Sequence, residues 1–350
     1  MLKTAEAVSL GHPDKTADYI SSYILDRFIE QDSSVHYAVE VMFKDNTVIL
    51  GGEVSGNINI SALNTYVKNA LKEIGYDERY AQIWQNYAPN PNNLEIINKI
   101  GLQSADINRG VAQNGWGDQG VFVGYACQGP GLINYELWLA RKLNNTLYEL
   151  AKQSDNLGLD IKTQITLNEQ NQITTAIVAI PMLKTQDLSH FIAQTLQQTP
   201  QQLIVNGTGI YQLHSSLADC GITGRKLACD FYSTACPIGG GSPWTKDASK
   251  SDLTLNLYAR HLAVQNLEDN DECFVYLSSC IGKSELPSGH IKTLKSDKPT
   301  HKDFQCAIPP HQLITTLGLN RPVFAELCRN GLQSLDYETT TNPNMHKKVI

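Results

Sequence analysis

"VHYAVEVMFKDNTVILGGEVSG", residues 35–56, alternates apolar and polar positions on both sides of "KDN". A period of two with a polar turn in the middle is the pattern of a β-hairpin that buries one face. It runs into "ISALNTYVKNALKEIGY", where Leu63, Val67, Ala70, Leu71 and Ile74 recur three or four apart, a helical stripe. The same succession returns twice. "IKTQITLNEQNQITTAIVAIPM" (161–182) turns at "NEQNQ" and precedes the helical "LSHFIAQTLQQ" (188–198). "CFVYLSSCIGKSELPSG" (273–289) reads as a strand with its edge, and "PPHQLITTLGL" (309–319) opens a helix after it. Three hairpin-then-helix units predict an α+β protein of three similar modules, pseudo-threefold, with sheets packed under helices. The expected segments are 1–101, 102–217 with a Gly-rich lid at its start, and 218–350.

The bulk properties bound the function. The chain has 350 residues, 41% hydrophobic and 18% charged, enough for a large core and two or three domains. A formal net charge of −7 argues against a general nucleic-acid binder. No apolar run is long enough to span a membrane, and "MLKTAEAVSLG" has no signal-peptide core, so the expectation is a cytoplasmic protein. Eight cysteines, none in a CxxC pair, read as free thiols in a reducing compartment, with Cys229 and Cys280 as core residues. His214 and His261 read as satisfied core or surface residues.

Chemistry gathers at helix starts. "SLGHPDKTAD" (9–18) precedes a stripe of Ala17, Ile20, Tyr23, Ile24 and Phe28. Pro13 suits a first helical turn, which makes His12 the cap and puts Asp14, Lys15 and Asp18 in the first turns. Such an end suits an anion, although the two acids are equally ordinary complements to a helix dipole. The acidic balance reverses over 225–260, with Arg225, Lys226, Lys246, Lys250 and Arg260 against Asp230, Asp247 and Asp252. "GGG" (239–241) ahead of Lys246 and Lys250 lets backbone approach a ligand, and lysines at a Gly-rich helix start suit a polyphosphate. Mg²⁺ prefers carboxylates, and Asp14, Asp252 and Asp118 of "GDQG" are the candidates. There is no Walker motif, and no dinucleotide-type GxGxxG after a strand. Trp116 and Trp244 fall in the Gly-rich stretches, where each either packs over a nucleotide or braces a loop.

Four motifs in order, "GHPDK" (11–15), "GWGDQG" (115–120), "DCGITGRK" (219–226) and "GGGSPWTKDASKSD" (239–252), resemble the signatures of the S-adenosylmethionine synthetase (methionine adenosyltransferase) family. "VEVMFK", "GGEV", "DIKTQIT" and "LYARHLAVQNL" extend the likeness over most of the chain, thinning after about residue 290. The resemblance implies a transferase of S-adenosylmethionine biosynthesis and one-carbon metabolism. The methionine sulfur attacks C5′ of ATP and expels triphosphate, which is then cleaved to pyrophosphate and phosphate. His12, Lys162, Arg225, Lys246 and Lys250 would be catalytic. Lys15, Asp118, Asp160, Tyr211 and Lys226 would join them around ATP, with Tyr211 where the family places a Phe. Glu53, Gln103, Asp219 and Lys250 would hold methionine. Asp14 and Asp252 would hold two Mg²⁺, and Glu40 a K⁺. The family builds its sites between subunits, which implies a homodimer or tetramer, with a lid near 103–115.

The chain also departs from the family. Leu10, Ile210, Ile238 and Leu253 stand where it has Glu, Arg, His and Arg, "HSSLA" (214–218) replaces a Gly-Gly-Pro-rich turn, and the lid between Gly110 and Gly115 is shortened. Two other readings fit the same residues: a non-catalytic regulatory homologue, and an enzyme on this scaffold that takes an altered methionine analogue.

Overall fold

The computed structural model describes residues 2–102 and 115–332. They form three four-stranded sheets and nine α-helices. The quoted hairpin is β2 (His36–Lys44) and β3 (Thr47–Ser55), paired antiparallel from Lys44↔Thr47 outward. Asp45 makes the reversal at φ 54°. Tyr37, Val39, Val41, Phe43, Val48 and Leu50 alternate inward, as the period of two requires. Helix α2 (Leu63–Ile74) lays its five-residue stripe on that core and ends at Gly75, whose φ of 112° suits a residue without a side chain. Burying Val67, Leu71 and Ile74 contributes about 1.5–3 kcal/mol each. The short α3 (Glu78–Trp84) leads to β4 (Glu95–Leu102), which lies parallel to β3.

The second sheet holds the hairpin β6 (Lys162–Leu167) and β7 (Ile173–Ala179). Helix α5 (Ser189–Leu196) then carries the chain to β8 (Gln202–Val205), parallel to β7. The third holds β10 (Glu272–Ser279), β11 (Glu285–Lys295) and β12 (Lys298–Ala307), all antiparallel. The helix expected after it is α8 (Pro310–Thr316).

Each sheet is completed by a strand from elsewhere in the chain. β1 (Lys3–Val8) pairs with β6, β5 (Gly120–Cys127) with β10, and β9 (Gly221–Ile222) with β2, all antiparallel. The exchange is cyclic: each segment's first described strand edges the next segment's hairpin, and the last returns to the first. Sheet membership therefore crosses the sequence boundaries at 101/102 and 217/218. Contiguous stretches make the hairpins, but no sheet is contiguous. Helix α4 (Tyr135–Lys152) fastens one exchange, because the Asn144 amide donates to the carbonyls of both Ala7 and Ile161 (3.2 Å each). Helix α7 (Ser251–Gln265), which follows the single turn α6 (Leu227–Asp230), fastens another. It lies so close to β5 that a Cβ on Gly124 would come within 2.0 Å of the Ala259 backbone.

Helix α1 (Pro13–Ile29) differs from the single apolar stripe expected of it. Every residue but Arg27 is buried, polar ones included. It sits at the junction of the exchanged parts, and several of its polar groups find partners there. Ser21 donates to Val39 O (2.7 Å), Ser22 to Trp244 O (3.0 Å) and Thr16 to Leu10 O (2.8 Å). Asp26 accepts from the backbone of Phe324 and Ala325 (2.9 Å each), at the start of α9 (Phe324–Asn330).

Cys229 is buried as expected, but Cys280 is only half-buried, since it follows the end of β10. His214 is a satisfied core residue between Tyr80 Oη (2.6 Å) and Gln212 O (2.6 Å), and burial pushes it down to about 4. No helix among the described residues is long and apolar enough to cross a membrane.

Candidate active site

His12 caps α1 with φ −64° and ψ 135°, and its Nδ1 accepts the Asp14 N–H at 3.2 Å. An Nδ1 that accepts carries no proton, so in the neutral ring Nε2 bears it and is a donor. Burial, then the charges of Lys226, Lys162, Lys15 and Arg225, push this imidazole down to about 2. His12 is thus a neutral hydrogen-bond donor among four cations.

Asp14 is fully buried and holds the loop after β9 against the helix. The Ile222 N–H donates to its Oδ1 at 2.9 Å, Lys226 pairs with Oδ2, and Arg225 Nε lies 3.7 Å from Oδ1. Lys162 opens β6, where it registers with Val8 four residues before His12. Asp160, just upstream, accepts the Ser215 N–H (2.9 Å). Burial lifts it to about 6, against the pull of that bond and of Lys162, while nearby Asp219 adds a further push upward. Tyr211 is half-buried within range of Asp160, and burial chiefly raises its phenol. These residues, scattered from 12 to 226, are brought to one place.

Lys15 is turned inward. Its ammonium is bound to Asp230 (2.9 Å) and Asp18 (3.4 Å) and lies 5.0 Å from the centre of the Trp244 ring. Burial weakens its hold on the proton; Asp230, Cys328 and Asp18 outweigh that, and the net shift is upward. Asp18 shares this one ammonium with Asp230, and burial lifts it to about 7 despite Lys15. Trp244 donates its indole N–H to Asp230 (2.8 Å), so it braces this buried network. Asp18, Asp230 and Trp244 were in view in the sequence, but nothing there pairs them with Lys15.

A second group forms where α7 begins. Asp252 accepts the Gly241 N–H (2.7 Å) and pairs with Lys246, and Asn256 donates to Gly239 O (2.9 Å). Gly240 takes φ 72°, and a Cβ on Gly239 would sit 2.7 Å from Val121 O. Lys250 occupies the cap position of α7, and its ammonium has no partner among the described residues. Strand β2 holds both groups by one edge. Asp247 N donates to Tyr37 O (3.0 Å), Val39 N to Thr245 O (2.9 Å) and Thr223 N to Val41 O (3.1 Å). Glu40 stands between them, accepting from the hydroxyls of Thr223 and Thr245. Those two threonines and Ser215 are site residues that the sequence reading missed; only their places beside "GRK", "TKD" and "HSSLA" marked them.

The remaining candidates stand apart. Asp118 is exposed and accepts the N–H of its neighbour Gln119 (2.8 Å). Glu53 is half-buried on β3, opposite Ala38 and beside Gly101. Gln103 and the lid, save Gly115, lie outside the described residues. Trp116, fully buried, is tied by backbone to Lys283 (3.0 Å) and Gly282 (2.8 Å). Among the departures, Leu253 is core and Leu10 is buried, while Ile210 and Ile238 are exposed.

Among the described residues no three His, Cys, Asp or Glu converge to enclose a metal ion. Asp14 and Asp252 are instead single carboxylates, each already balanced by a lysine. That donor set fits Mg²⁺, which binds through one or two carboxylates and completes its shell with water and phosphate.

An uncharged histidine donor within a ring of cations, and a glycine loop carrying a Lys–Asp pair, stand on the three strand-exchanged sheets of an α+β protein. Residues 1–105, 113–215 and 213–340 match the N-terminal, central and C-terminal domains of S-adenosylmethionine synthetase. The chain belongs to that family. It is 31% identical to the S-adenosylmethionine synthase of Paramagnetospirillum magneticum, over 94% of this chain and 92% of that one. It is 30% identical to that of Helicobacter hepaticus, with the same coverage. The solved structure of an unusual S-adenosylmethionine synthetase from Campylobacter jejuni superposes with a TM-score of 0.83 at 29% identity, covering 95% of this chain and 94% of that one.

Proposed function

We propose that this protein is a methionine adenosyltransferase that makes S-adenosylmethionine from ATP and L-methionine, releasing the triphosphate chain and then cleaving it to pyrophosphate and phosphate. The observation that carries the reading is the His12 ring: a neutral Nε2–H donor surrounded by Lys162, Arg225 and Lys226. Displacement at C5′ loads negative charge onto the bridging oxygen and the triphosphate. Fixed donors aimed where that charge grows are the largest catalytic term available. His12 donates to the bridging oxygen without giving up its proton. Lys162, Arg225 and Lys226 clamp the chain of phosphates, and Lys246 and Lys250 close on it from the glycine loop. Lys15 acts at one remove, through the field it shares with Asp230 and Asp18.

Asp14 and Asp252 would hold Mg²⁺, which when bound neutralises phosphate charge; the lysines now on those carboxylates would pass to the phosphates. Asp118, Asp160 and Tyr211 serve the nucleoside, and Glu53, Gln103 and Asp219 the methionine ammonium and carboxylate. Holding sulfur in line with C5′ adds a proximity term of about 7–11 kcal/mol. Glu40, with two hydroxyls already turned to it, is the candidate ligand for K⁺. The complete site joins the His12 group of one protomer to the glycine-loop group of another in a homodimer. Exposed Met42 and Ile222, two residues after Glu40 and three before Arg225, support an apolar interface at this edge. The test is incubation with ATP, methionine, Mg²⁺ and K⁺, following S-adenosylmethionine and phosphate together. Equal release of both supports the reading, and ATP consumption without the sulfonium product overturns it.

A further inference from the structure

The third sheet has a feature the other two lack. Their fourth strands arrive parallel after a helix, whereas β12 folds straight back from β11. Ser296 (φ 49°) and Asp297 (φ 62°) form the two-residue left-handed turn that suits the twist of a hairpin. The register it fixes sets His290 opposite Asp303 and Lys292 opposite His301. Alternation puts these four side chains on one face, on the edge strand and its neighbour. His290 Nδ1 lies 2.6 Å from Asp303 Oδ1, and His290 Nε2 lies 3.1 Å from His301 Nδ1. The Lys292 ammonium sits over the Phe274 ring at 5.2 Å, on the β10 side.

We propose that His290 and His301, backed by Asp303, form a site for a divalent ion of the late first transition row: Ni²⁺, Cu²⁺ or Zn²⁺. A carboxylate on the far nitrogen is how a metal-binding histidine is oriented: Asp303 accepts the hydrogen bond from Nδ1–H and leaves the Nε2 lone pair outward. That lone pair now accepts the Nδ1 proton of His301. When His301 carries its proton on Nε2 instead, a modest turn of the two rings, which have room at the surface, aims both lone pairs at one point, and no net proton is released. Two nitrogens 3.1 Å apart, each about 2.0–2.1 Å from an ion, subtend about 100° at it, an ordinary angle between neighbouring ligands. Imidazole nitrogen selects these ions over Mg²⁺ and Ca²⁺, so the site is separate from the polyphosphate chemistry. Its remaining positions belong to water, and its ion ties the edge strand β12 to β11.

The experiment uses the full chain, made without a histidine tag and stripped with chelator, titrated with NiCl₂ by calorimetry in the absence of nucleotide. The expected result is one Ni²⁺ per chain, with affinity at least tenfold weaker in both His290→Ala and His301→Ala and about tenfold weaker in Asp303→Asn. These side chains are partly or largely exposed, and far-UV circular dichroism checks that the variants fold. A flat wild-type isotherm, or histidine variants that titrate like wild type, overturns the site. An Asp303→Asn isotherm equal to wild type overturns the backing role of the carboxylate.

Discussion

The starts of α1 and α7 carry the same chemistry in different settings. Each presents a carboxylate neutralised by a lysine, Asp14 with Lys226 and Asp252 with Lys246. Asp14 is fully buried, and its partners come from residues 222–226, more than 200 positions away. Asp252 keeps a side-chain exposure of 16%, and its partners, Gly241 and Lys246, lie within 11 positions. The first setting exists only when the whole fold is complete, and its carboxylate is held in place by the Ile222 N–H. The second is closed by its own loop and can rearrange without disturbing the core. Under the proposed function the difference amounts to a division of labour: a fixed reader of charge at α1 and an adaptable clamp at α7.

The comparison breaks most sharply at His12. His12→Ala should lower turnover about 10²–10³-fold, the loss of one aimed donor, with the fold retained. A wild-type rate in a discontinuous assay for S-adenosylmethionine would remove His12 from the reader. Stability should separate the two carboxylates next. Asp14→Ala leaves Lys226 and the Ile222 N–H without their buried partner and should cost about 3 kcal/mol, against about 1 kcal/mol or less for Asp252→Ala. Urea denaturation measures both, and equal losses would erase the distinction. Lys250→Ala should then lower the rate about tenfold with no change in the urea midpoint; a midpoint that moves with the rate would make Lys250 structural.

The smallest effect is on pH. Asp18 at about 7, with Asp26 and Asp160 at about 6, lies above the ordinary carboxylate value. Between the unfolded and folded values the native state binds more protons than the unfolded chain. The stability these groups contribute is therefore full below about pH 4 and is lost as pH rises through 6 to 7. Asp18→Asn should flatten that decline in urea titrations from pH 4 to 7.5. An unchanged slope would mean that Asp18 is ionised in the native protein throughout.

The hairpins and the α2 stripe were legible because period two and period 3.6 are local signals, as Val39 and Val41 or Val67 and Leu71 show. The exchanged strands were not. "KTAEAV" and the two residues of β9 carry no mark of which sheet they join, and hydrogen-bond partners about 160 or 180 positions away leave no local trace. The long helix α4 went unread although Leu137, Ala140, Leu143, Leu147 and Ala151 follow helical spacing. At the site, the motif at residues 11–15 pointed to the helix entry and its anion preference. The inward turn of Lys15 did not show, because it depends on Asp230, far along the chain.

The cyclic sharing of strands means that the molecule cannot be divided. A cut near residue 101 or 217 leaves each fragment with one sheet missing its border and one strand with nowhere to bind. As the chain emerges from the ribosome, its earliest sheet must wait for Gly221 and Ile222 before it is whole, so assembly closes like a ring and not one bead at a time.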